Sequence, residues 1–68
     1  MILNKSQAQA VYAAMCALNN VSGKIEVYLG NIYVLESVAG FIYINDSTDS
    51  TDEVYSSQSE FAEAYGVL

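Results

Sequence analysis

Apolar and polar residues alternate from Lys24 to Asp46, KIEVYLGNIYVLESVAGFIYIND, and recur at three- and four-residue spacings on either side of that stretch. Alternation is the period of a β-strand, and the longer spacing is that of an α-helix. Two breaks divide the central stretch into three strands. Gly30-Asn31 fits a two-residue hairpin turn, where positive φ is tolerated, and Val38-Ala39-Gly40 fits a three-residue loop with Gly40 left-handed. The first turn sets Leu29 opposite Ile32, Tyr28 opposite Tyr33 and Val27 opposite Val34. The second sets Ser37 opposite Phe41, Leu35 opposite Tyr43 and Val34 opposite Ile44.

This register separates two faces. One gathers Ile25, Val27, Leu29, Ile32, Val34, Ile42 and Ile44, with Glu36 near its edge, and has the composition of a packed core. The other gathers Lys24, Glu26, Tyr28, Tyr33, Leu35, Ser37, Phe41, Tyr43 and Asn45, aromatic with a polar fringe.

Before the sheet, Ala8, Val11, Tyr12, Met15 and Leu18 form one apolar stripe, which predicts a helix over residues 5–19. Asn4 with Gln7, or Ser6 with Gln9, would make a capping box, and Leu3 is placed as a staple for the first. Asn19-Asn20 and Ser22-Gly23 are expected to end the helix and begin a turn. After the sheet, Ser57-Gln58-Ser59-Glu60 resembles a capping box, and Phe61, Ala64, Tyr65 and Leu68 make the stripe of a second helix. Gly66 suits its left-handed C-terminus. Between Ile44 and that helix the chain reads as an acidic polar loop over residues 45–53. Val54 and Tyr55 either extend the sheet or lead into the helix. The expected fold is one α+β domain over residues 1–68: helix, three-stranded antiparallel meander, helix, with both helices on the aliphatic face.

Composition narrows the chemistry. There is no histidine and a single cysteine, so histidine catalysis and zinc sites built on histidine or paired cysteines are excluded. Cys16 reads as a small buried apolar residue, suited to a reducing compartment. Asp46, Asp49 and Asp52 recur every third residue, yet a calcium loop of the EF-hand type needs alternate acids, a central glycine and a terminal glutamate. No glycine-rich phosphate loop is present. The sequence therefore predicts a non-enzymatic protein with no metal and no cofactor. No apolar run is long enough to span a bilayer, and the start, Met1-Ile2-Leu3-Asn4-Lys5, turns polar too soon for a secretory signal; a cytoplasmic location is expected.

Charge adds direction. The formal net charge is −6, with eight acids against two lysines and no arginine. Apart from Glu26 the acids all follow residue 34: Glu36, Asp46, Asp49, Asp52, Glu53, Glu60 and Glu63. Direct nucleic-acid binding needs cations to neutralise phosphates, so it is not expected. A basic protein surface, such as one that itself binds nucleic acid, is the electrostatic complement of those seven acids; acidity that only aids solubility is the plainer reading. A second candidate surface is the aromatic face with Tyr28, Tyr33, Leu35, Phe41 and Tyr43, which suits either a foreign partner or a homodimer.

Small size, acidity, scarcity of cations and absence of catalytic motifs together resemble the small inhibitors encoded by bacteriophages, of the anti-CRISPR and anti-restriction kind. Glu63-Ala64-Tyr65-Gly66-Val67 is similar to a short run in one small acidic anti-CRISPR family. The likeness is of type and carries over no individual residue. It implies a phage protein in the host cytoplasm that blocks a nucleic-acid-binding defence complex by offering carboxylates where DNA or RNA would sit. The competing expectation is a structural or assembly module, dimeric or docked on a larger subunit through its tyrosine face.

Overall fold

The structure is a computed structural model that describes residues 1–19 and 24–68. Its order is α1 (Lys5–Leu18), β1 (Glu26–Leu29), β2 (Ile32–Glu36), β3 (Ile42–Asp46), β4 (Thr51–Tyr55) and α2 (Gln58–Tyr65). The four strands form one antiparallel sheet in the order β1-β2-β3-β4. The register of the first three strands is the one that alternation and the two turns predict: Tyr28 faces Tyr33, Val34 faces Ile44 and Leu35 faces Tyr43. Gly30 takes φ +62° while Asn31 stays at negative φ, the pattern of a type II′ turn. At the second turn Gly40 is left-handed, and the Ser37 N–H donates to the Phe41 carbonyl at 2.8 Å.

Both helices cover the aliphatic face. Val34, Ile42 and Ile44 from the sheet, Met15 from α1 and Phe61 from α2 are fully buried in one cluster with Leu3, Ala8, Val11, Ile25 and Tyr65. The Asn4 side chain caps α1 by accepting from the Gln7 N–H at 2.8 Å, and the Gln7 side chain accepts from the Asn4 N–H at 3.0 Å, so the first of the two possible boxes forms. Ser57 caps α2 by accepting from the Glu60 N–H at 3.1 Å. The Glu60 carboxylate turns back to the N–H and hydroxyl of Ser56. Gly66 closes α2 in the left-handed conformation, where its N–H reaches the carbonyls of Ala62 and Glu63. The expected turn at Asn20, Ser22 and Gly23 lies outside the described residues.

Four expectations change. The sheet has four strands rather than three. The acidic loop over 45–53 shrinks to residues 47–50, because Asn45 and Asp46 finish β3 while Thr51, Asp52 and Glu53 begin β4. The buried stripe of α2 is Phe61, Ala62 and Tyr65, whereas Ala64 and Leu68 are exposed; Gln58 heads the same stripe, one turn before Phe61. Cys16 is exposed rather than buried, since it follows Met15 by one position and is thereby rotated about 100° off the buried stripe.

Candidate functional site

The helices leave the second face of the sheet uncovered among the described residues, and the register lays out what stands on it. One rung across the four strands is Tyr28, Tyr33, Asn45, Asp52; the next is Glu26, Leu35, Tyr43, Val54. Phe41 lies at the margin beyond them, one residue before the inward-facing Ile42. Tyr28 is 73% exposed, Val54 59% and Phe41 48%, and Tyr33, Leu35 and Tyr43 are half-buried between them. Apolar exposure of this kind, contiguous and fringed by polar groups, is the composition of a protein contact surface.

The face is also ordered by its own bonds. The Tyr28 and Tyr33 rings sit 5.0 Å apart at a 47° tilt, and Tyr33 and Tyr43 are 6.3 Å apart, edge to face. The Tyr33 hydroxyl donates to Glu26, and this bond to a carboxylate, helped by partial burial, pushes the Tyr33 phenol up to about 12. The Tyr43 hydroxyl donates to Asp52 Oδ1 at 3.1 Å, and the Asn45 side-chain amide donates to the same oxygen at 2.6 Å. Burial and then Asp52 raise the Tyr43 phenol. Both phenols therefore stay neutral donors across the physiological range. Tyr28, Tyr33 and Tyr43 line an open hollow of about 550 Å³ together with Asn31, Asn45 and Ser47. The hollow sits at the end of the sheet where the β3–β4 loop meets the β1–β2 turn, with the Ser47 N–H and hydroxyl both donating to the Asn31 carbonyl at 3.1 Å.

The seven acids named from the sequence do not form one surface. Asp46, Asp49, Asp52 and Glu53 line a concavity of about 400 Å³ with Met1 and Ile2. Within it Asp46 accepts from the Thr48 N–H at 2.9 Å, and Asp49 accepts from the Thr51 hydroxyl at 2.9 Å. Glu53 turns to the helical side. It accepts from the Ile2 N–H at 3.0 Å, from the Tyr55 hydroxyl at 3.1 Å and from the Tyr65 hydroxyl, tying the chain start to β4 and α2. Glu36 is buried, not displayed: it accepts from the Gln58 side chain at 2.6 Å and lies 3.9 Å from the Lys24 ammonium. Glu60 and Glu63 are exposed on α2. Glu36 and Glu53 thus serve the fold first, and an acidic contact surface reduces to Asp46, Asp49 and Asp52, with Glu60 and Glu63 elsewhere. Among the described residues no group of three or more acidic or cysteine side chains is placed to hold a metal ion, and no helix is long and apolar enough to cross a membrane.

Asp52 and Val54 are the members of the tyrosine face that the sequence reading missed. The only local signal was the strand preference of Thr51, Val54 and Tyr55; once β4 is assigned, its two-residue period places Asp52 and Val54 on one face and Glu53 and Tyr55 on the other. No protein-family model matches the chain, and neither a curated protein nor a solved structure is found similar to it.

Proposed function

We propose that this chain is a non-enzymatic protein-binding domain whose contact surface is the open, tyrosine-rich face of its sheet. The observation that carries this reading is a contiguous apolar face, Tyr28, Tyr33, Leu35, Tyr43 and Val54, that both helices leave bare. The charged side chains of its two rungs, Glu26 and Asp52, are carboxylates, and the acidic concavity adjoins the face through Asp52. With a net charge of −6 the domain favours a basic protein. A protein surface that binds nucleic acid is a basic surface of that kind. Occupying it would exclude the DNA or RNA, which is the inhibitor role that the resemblance to small acidic phage proteins implies. A face-to-face homodimer is disfavoured by the same charge, because each copy would bring carboxylates to the other's carboxylates.

The test is affinity capture with three tagged forms of the chain: wild type, Val54→Lys on the face and Glu63→Ala off it. A basic protein retained by wild type and Glu63→Ala, and lost with Val54→Lys, is the expected outcome. A partner that survives Val54→Lys, or a stable dimer of the free chain in light scattering, would overturn the reading.

A further inference from the structure

We propose that the hollow between Tyr28, Tyr33 and Tyr43 receives the guanidinium group of an arginine presented by the partner, with Asp52 as its counter-charge. The inference rests on the open face being the contact surface, and it names what that surface grips. Three phenol rings, packed at 5.0 and 6.3 Å, line one opening, and the electron-rich face of a tyrosine ring attracts a cation. Asn31, Asn45 and Ser47 supply the polar part of its lining. Asp52 is fixed beside it by two donors, Tyr43 and Asn45, and both use Oδ1. Among the described residues no hydrogen bond to Oδ2 accompanies these two, so that oxygen keeps its capacity to accept one.

Arginine suits this geometry better than lysine. Its guanidinium is flat, weakly hydrated and able to stack on a tyrosine while its edge donates to a carboxylate, whereas an ammonium is compact and holds its water. The occupant must also be foreign. This sequence contains no arginine, and its two lysines lie elsewhere: Lys5 opens α1, and Lys24 sits against the buried Glu36.

An NMR titration tests the proposal with a blocked Gly-Arg-Gly peptide, its lysine analogue and its citrulline analogue, which keeps the shape and lacks the charge. The expected result with the arginine peptide is saturable shifts confined to the rings of Tyr28, Tyr33 and Tyr43 and the amides of Asn45 and Asp52. Lysine should bind about 3-fold or more weakly, and citrulline should leave the spectrum unchanged. Tyr28→Leu, at an exposed position where folding is not at risk, should weaken the arginine peptide about 3-fold or more. Equal shifts from citrulline, shifts spread to Glu60 and Glu63, indifference to Tyr28→Leu, or no saturation up to about 10 mM would each overturn it. Failure here while Val54→Lys still abolishes partner capture removes the arginine pocket and leaves the contact face standing; failure of both removes the two together.

Discussion

At the scale of single residues, the least comfortable position is Ser50. It closes the β3–β4 loop at φ +55°, the one non-glycine residue in the left-handed region among those described. Its Cβ crowds the following carbonyl there, at a cost of about 1–2 kcal/mol that glycine does not bear. Glycine gives back part of that gain through its freedom in the unfolded chain. Ser50→Gly should therefore stabilise the protein by about 0.5 kcal/mol, a rise of about 2–4 °C in Tm for a domain this small. Ser50→Val, β-branched and ill-suited to positive φ, should lower it. Thermal melts followed by circular dichroism decide the matter, and a Val variant that melts with wild type would show that the loop adjusts without strain. Nothing in the sequence marks Ser50, because Ser47-Thr48-Asp49-Ser50 holds four residues equally at home in a turn.

At the scale of elements, β1, β2 and β3 were legible because their turns are chemically local. Gly30-Asn31 and Gly40 fix register without reference to the rest of the chain, and register then places Tyr28, Tyr33, Leu35 and Tyr43 on one face. The fourth strand hid because it lies at the sheet's edge, where charged side chains are ordinary and protect against unwanted pairing. Its inward residues are Thr51, Glu53 and Tyr55, so no aliphatic alternation announces it; Val54 therefore went unnamed, and Asp52 was named as an acid but not as a member of the tyrosine face. Register put Glu36 near the edge of the aliphatic face, yet it was also counted among the displayed acids; its partner Gln58 lies on α2, and only the packed fold brings the two together and buries the carboxylate. The Gln58 amide joins three elements, since it also exchanges hydrogen bonds with Asn19 at 3.2 and 3.0 Å beyond the end of α1. Gln58→Leu leaves a buried carboxylate short of a donor and should cost about 1–3 kcal/mol in urea unfolding. The double variant Glu36→Leu with Gln58→Leu replaces both polar groups and should recover much of that loss. Strictly additive losses would mean that the bridge is incidental to the fold.

At the scale of the whole molecule, the tyrosine hydroxyls couple stability to alkali. Tyr55 and Tyr65 sit on the helical side, with Phe61 completing a cluster at ring separations of 5.0–5.9 Å; Tyr33 and Tyr43 sit on the open side. Burial, then the bond to Glu53, pushes the Tyr65 phenol well above its ordinary value of 10.0, against a smaller opposing effect of the Leu3 N–H. Tyr55 is raised by burial and Glu53 as well, and Tyr33 to about 12. Every one of these shifts is upward, so the folded chain holds its phenolic protons more tightly than the unfolded chain. The stability they contribute is complete below pH about 10 and declines as pH rises through the folded-state values. Each phenolate formed also adds to a charge that is already −6, with only two lysines to offset it. Tm should therefore fall as pH rises past about 10, on both sides of the sheet at once. Tyr65→Phe keeps the ring in the cluster and removes the donor to Glu53, which should cost about 1–3 kcal/mol at neutral pH. Because the variant has one fewer raised phenol to titrate, the gap between it and wild type should narrow above pH 10. Melts at pH 7, 9, 10.5 and 11.5 test this directly. A gap that keeps its size across the series would mean that the Tyr65–Glu53 bond contributes nothing to the linkage, and that alkaline unfolding runs through net charge alone.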